Sequence, residues 1–185
     1  MYKRQGPVSV NVLVQEILPH IKEVPIFVAG GIGRGEIILK FLQLGAAGCQ
    51  IGTRFVCANE SIAHSKFKNI FIKSEARNAQ ISVKIDDRLP VIPVRAIENS
   101  ATQNFISEQK KLINLVEKKE ISLKDAQLSI EHFWAGSLKK AVIDGDVESG
   151  SLMAGQSVSL VKKLQSVSAV SYTHLDAADE ERGVD

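Results

Sequence analysis

The chain has 185 residues, 44% of them hydrophobic and 24% charged, with a formal charge of +2. That balance is ordinary for a globular domain, and so small a net charge gives no reason to expect a nucleic-acid surface. No run is long enough to cross a membrane and no signal peptide is evident, which points to a reducing, cytoplasmic setting.

In chain order, Val8, Val10, Val12, Leu13, Val14 and Ile17 mix short alternation with helical spacing, and residues 10–21 read as a helix. Residues 24–36 (VPIFVAGGIGRGE) then run a strand straight into glycines. Ile26, Phe27 and Val28 form a short apolar run that reads as a fully buried strand, and Ala29-Gly30-Gly31 bares the backbone after it. Gly33, Gly35 and Glu36 lead into Ile37, Ile38, Phe41 and Leu42, an apolar stripe at helical spacing that stops at Leu44-Gly45. Residues 46–56 (AAGCQIGTRFV) repeat the plan, with Cys49, Gln50 and Ile51 as strand and Gly52-Thr53 as turn. Strand, helix and strand within about thirty residues make a parallel crossover unit.

Beyond Phe55 the pattern turns helical, with a helix expected over residues 59–74. Residues 81–92 (ISVKIDDRLPVI) read as irregular or briefly extended, punctuated by Pro90 and Pro93. A long amphipathic helix follows over residues 99–118, its lysines and glutamates forming a solvated face. Ser122 caps the next, over residues 123–130, with Asp125 at the third position. Phe133, Trp134, Leu138, Val142 and Ile143 continue an apolar face to a stop at Asp144-Gly145. Val158, Val161, Leu164 and Val167 give residues 157–170 a regular amphipathic pattern.

Glycines at strand ends let several backbone N–H groups converge on an anion with no side chain in the way. A single such loop is equally a tight turn; two in adjacent units are what a barrel phosphate site requires. The cysteines, Cys49 and Cys57, have no partnered histidines, so neither a zinc site nor a disulfide framework is indicated, and Cys49 reads as a small buried hydrophobe.

AGGIGRG followed by QIGTRF resembles the nitronate monooxygenase family, formerly the 2-nitropropane dioxygenases, and the related FMN-dependent enoyl-acyl-carrier-protein reductases. The resemblance continues through residues 94–99 (VRAIEN), 134–138 (WAGSL) and 145–156 (GDVESGSLMAGQ). It implies an α/β fold, the C-terminal part of a TIM-type (β/α)8 barrel with an added helical region, incomplete as a barrel. Residues 6–58 would be the last barrel units and 59–170 the helical region, with 10–21 the helix between barrel strands six and seven. It also implies FMN as cofactor, held by Gly30, Gly31, Gln50, Ile51, Gly52 and Thr53, and it brings residues 153–156 near the flavin. The activity implied is oxidation of alkyl nitronates with O2; enoyl thioester reduction is the alternative, and a non-catalytic phosphate-ligand barrel a third reading. The partner expected is therefore a small molecule, a nitronate or an enoyl thioester.

A barrel of this type takes about 250 residues, so truncation is expected. Residues 1–5 and 171–185 resemble translated linker sequence and carry no chemistry. In the resembled family a Gly-Gly-His segment supplies the catalytic histidine, which would precede residue 6. No histidine here matches it. His20 reads as a helix-end cation, His64 as a surface residue and His132 as a half-buried packing residue, while His174 falls in the suspected linker. No catalytic residue is assigned.

Overall fold

The computed structural model describes residues 8–172; residues 1–5, most of the expected C-terminal linker and His174 lie outside them. Among the described residues, one compact unit is built from 8–61, 71–76 and 155–172, and a second from 62–70 and 77–154.

The first unit contains α1 (Val10–Ile17), β1 (Phe27–Ala29), α2 (Gly35–Gln43), β2 (Gly48–Gln50) and the single-turn α3 (Thr53–Val56). The two strands pair in parallel, with Phe27 beside Gly48, Val28 beside Cys49 and Ala29 beside Gln50. Together with α2 they form the expected crossover. α1 stops four residues short of the expected end at 21, because Pro19 has no N–H with which to continue the ladder. Val14 and Leu18, Val28 and Ile32, and Phe41 and Ala46 form the buried core, with Ile37, Ile38, Cys49 and Ile51 packed around it.

β1 is not buried on both faces as expected. Val28 is 4% exposed but Phe27 is 64% exposed, because alternate residues of a strand face opposite ways and α1 and α2 supply apolar cover for one face. The Phe27 ring instead lies across Gly48, where an added Cβ would come within 2.7 Å of it.

The amphipathic spacing of residues 157–170 does not make one helix. A 3₁₀ turn at Gln156–Leu160 buries Val158, and Val161 is buried just after it. An extended stretch then forms a parallel bridge between Gln165 and Ala58, before a helical turn at residues 167–172.

In the second unit, β3 (Ala79–Ile81), β4 (Arg95–Ile97) and β5 (Leu152–Met153) form an antiparallel sheet in the order β3-β4-β5. These strands of two or three residues are too short to display a period of two, and the sequence predicts only a brief extended stretch within residues 81–92. α4 (Ser65–Lys73) begins six residues later than expected, its last turn counting with the first unit. Ahead of it, the Asn59 N–H is donated to the Gln165 carbonyl at 2.9 Å rather than into a helix.

α5 (Ser100–Glu117) opens on Asn99, whose Oδ1 accepts from the Thr102 N–H at 3.2 Å while Thr102 Oγ1 accepts in return from the Asn99 N–H at 3.3 Å. α6 (Leu123–Ala135) starts at the expected Ser122 cap and runs past the expected end to Gly136; α7 (Ser137–Val142) follows. Leu89, Phe105, Leu112, Ile113, Ala126 and Ile130 form this unit's buried core, flanked by Trp134. Within it Gln109 is fully buried. Its amide donates to the Val83 carbonyl at 3.0 Å and accepts from the Ile85 N–H at 3.1 Å, pinning the loop after β3 as a neighbouring strand would.

Candidate functional site

The parallel register that sets Ala29 beside Gln50 sends two loops off the same carboxyl edge side by side: Gly30-Gly31 after β1, and Ile51-Gly52-Thr53 after β2. All six residues expected to hold the cofactor phosphate and its surroundings come to that edge. Gly30 and Gly31 adopt φ of +104° and +71°, a conformation that costs glycine little and other residues much. Among the described residues a Cβ at Gly30 or Gly52 would meet nothing within 4 Å, and one at Gly31 would meet Val10 Cγ1 at 3.8 Å. Gly30, Gly31, Gln50 and Gly52 are exposed; Ile51 and Thr53 are half-buried. Bare glycine backbone in consecutive loops is where a phosphate monoester finds main-chain donors.

The segment after β5 closes one side of this edge. The Gly155 N–H donates to Thr53 Oγ1 at 2.9 Å. That contact occupies the hydroxyl as an acceptor and leaves its own hydrogen to be donated elsewhere. A Cβ on Gly155 would press on Thr53 Oγ1 at 3.2 Å, and one on Gly33 would collide with Leu160, so both glycines permit the 3₁₀ turn to lie close against the loops. Of the segment 153–156, which the family resemblance brings near the flavin, Gly155 lies against Thr53 at the loop end.

Arg54 was not foreseen. A charged residue in the first turn after a loop reads as solvent-facing, yet it is 6% exposed. Its guanidinium donates to the Lys163 carbonyl at 3.0 Å and to the Gln165 side-chain carbonyl. Glu60 extends this anchorage by accepting from the Val167 N–H at 2.9 Å. Burial lowers the Arg54 pKa and the neighbouring Cys57 opposes the shift; guanidinium basicity leaves the group cationic. The thiol of Cys49, on the core side of β2, has its pKa raised by burial and so stays protonated.

The histidines do not gather here. His20 is exposed beyond α1. His64 packs against Gly145, where a Cβ would strike the ring, and its Nδ1 accepts from the Lys66 N–H at 3.1 Å. His132 is exposed on α6 rather than half-buried, because the apolar face of that helix is spent on Ala126, Ile130 and Trp134. Among the described residues no cluster of three or more His, Cys, Asp or Glu side chains is placed to hold a metal, and no helix is long and apolar enough to cross a membrane.

Comparison with known proteins bears on the fold and the family. The family described as nitronate monooxygenase matches residues 3–171. FabK from Thermotoga maritima superposes with a TM-score of 0.74 at 27% identity, covering 97% of this chain and 51% of that one. A nitroalkane oxidase structure from Streptomyces ansochromogenes shares the fold, with a TM-score of 0.65 at 21% identity over 95% of this chain and 45% of its own. Among curated sequences, (3aS,4S,5R,7aS)-5-hydroxy-7a-methyl-1-oxo-octahydro-1H-indene-4-carboxyl-CoA dehydrogenase of Rhodococcus jostii is 25% identical over 86% of this chain and 51% of its own length. A Staphylococcus saprophyticus protein named "Probable nitronate monooxygenase" is 28% identical over 70% of this chain and 37% of its own. The chain thus spans about half the length of its relatives or less. Its fold is α/β, the parallel crossover being part of a TIM-type barrel. With the family match running nearly end to end, the chain belongs to the nitronate monooxygenase family.

Proposed function

We propose that this chain carries the cofactor-phosphate site of an FMN-dependent oxidoreductase of the nitronate monooxygenase type. Residues 6–58 would supply the last barrel units and 59–170 the helical region. The observation that carries the reading is the pair of exposed glycine loops leaving adjacent parallel strands, where among the described residues a Cβ built at Gly30 or Gly52 would meet nothing within 4 Å. Gly30, Gly31 and Gly52 would hold the phosphate through main-chain N–H groups, Thr53 would add its hydroxyl hydrogen, and Gln50 and Ile51 would line the approach. When bound, FMN would supply the redox chemistry, taking electrons from an anionic nitronate and passing them on to oxygen. The chain's own contribution is to anchor and orient that group.

An FMN-dependent enoyl-acyl-carrier-protein reductase, acting on the double bond of an enoyl thioester, is the second reading. It is favoured by the 25% identity to a protein named as a carboxyl-CoA dehydrogenase and by the sequence likeness to enoyl-acyl-carrier-protein reductases. Both readings use one phosphate site. Titration of the protein with FMN, followed by quenching of flavin fluorescence, tests what they share: saturable binding is expected, and a well-folded protein that leaves FMN free would refute both. Nitrite release from an alkyl nitronate, set against NAD(P)H oxidation with an enoyl thioester, then separates them.

A further inference from the structure

In the second unit a small cavity of about 30 Å³ is lined by Ala96 of β4, by Asn99, Thr102 and Phe105 at the start of α5, and by Ser137 and Ser151. We propose that this cavity is an internal hydration site, holding one ordered water on the Ser151 hydroxyl.

Ser151 is 5% exposed, and among the described residues its Oγ is the buried side-chain polar atom with no hydrogen-bond partner. Folded proteins seldom leave such a group unpaired, since it has given up water and gained nothing. The polar side chains beside it are committed. The Asn99 amide donates to the Val147 and Gly150 carbonyls at 2.7 and 2.8 Å, and its Oδ1 accepts from both the N–H and the hydroxyl of Thr102. Ser82 and Ser137 bring further hydroxyls to the wall: Ser82 Oγ accepts from the Val94 N–H at 3.0 Å, and the Ser137 carbonyl accepts the Ser151 N–H at 2.9 Å, Ser137 being itself 6% exposed. Serine hydroxyls on the lining give a water the two or more polar partners it needs.

Size selects the ligand. A single water needs roughly 10–15 Å³ of such space, so the cavity admits one or at most two waters and excludes a flavin, nicotinamide or acyl group. A dry void is the competing state, but dry cavities are apolar, and a buried hydroxyl facing one would be destabilising.

The two states predict opposite signs for Ser151→Ala. In the hydrated state the variant removes a hydrogen bond from the water, and the folding equilibrium constant of the full chain, from urea unfolding, should fall by about fivefold. In a dry cavity the same change removes an unpaired polar atom, and the constant stays level or rises, which would overturn the proposal. A crystal structure of the unaltered chain gives the second reading. Density for a water within hydrogen-bond distance of Ser151 Oγ is expected, and either a void or a Ser151 hydroxyl turned onto a protein carbonyl would refute the site.

Discussion

At Gly31 the backbone sits at φ +71° with open space ahead of it, so a side chain there is opposed by conformation rather than by crowding. Gly31→Val should cost roughly 1–3 kcal/mol of stability through left-handed strain alone. It should also weaken FMN binding by about tenfold or more, the equivalent of one charge-assisted hydrogen bond of roughly 1.5–3 kcal/mol. Thermal unfolding and flavin titration read the two effects separately; a variant that strains the fold yet binds FMN unchanged would remove Gly31 from the phosphate site. Asp86 offers a test of a different kind. Hydrogen bonds from Arg88 hold its carboxyl down to about 2, against roughly 3.9 in an unfolded chain. A depressed carboxylate stabilises the fold above its unfolded value, so this contribution is complete above about pH 4 and disappears as pH falls toward about 2. Asp86→Asn should therefore narrow the stability gap from the unaltered protein as unfolding is measured at successively lower pH. The loop glycines were legible because two glycines directly after an apolar run leave the backbone bare whatever folds around it. Arg54 and Phe27 were not, because whether an arginine is clasped or a phenylalanine left in water depends on segments distant in sequence.

The helices of the second unit show what a local pattern can and cannot specify. The Ser122 cap was readable, since capping chemistry lies within three residues of the helix start, whereas Asn99, read as the first helical residue, proves to be a cap itself. Asn99 also ties α5 to the Val147 and Gly150 carbonyls, so Asn99→Ala should cost about 2 kcal/mol, at the upper end for a cap. Urea unfolding checks the value; a loss no larger than that of Ser122→Ala would mean those carbonyls find other donors. Gln109 is the counterpart on the same helix. Replacing it with Leu keeps the volume but removes the hydrogen bonds to the Ile85 N–H and the Val83 carbonyl, and a loss of about 0.5–1.5 kcal/mol for each bond is expected from the same measurement. What local reading could not provide was the β3-β4-β5 sheet. Its strands are joined by long stretches, so the partners that make Ala79–Ile81 or Leu152–Met153 extended are invisible to a window centred on either.

For the molecule as a whole, the crossover was within reach of the sequence because glycine spacing and apolar runs repeat along residues 24–56, and its place in a barrel because those motifs resemble a known family. Substrate choice was not, since no residue of this chain is tied to a reacting group. If the loops bind FMN, ligand at one hundred times its dissociation constant should raise unfolding free energy by about 2.7 kcal/mol. A melting curve indifferent to FMN would count against the assignment even where fluorescence quenching was seen. The chain's route through its two units carries a practical corollary. Residues 71–76 and 155–172 return to the first unit after the backbone has entered the second, and with them come the clasp on Arg54 and the partner of Thr53. A gene cut after codon 61 would break the first unit, whose residues 71–76 and 155–172 would be left on the downstream product, while the described residues of the second unit would stay together. Flavin capture in such a split would have to come from fragment complementation, with the downstream piece supplying the missing wall.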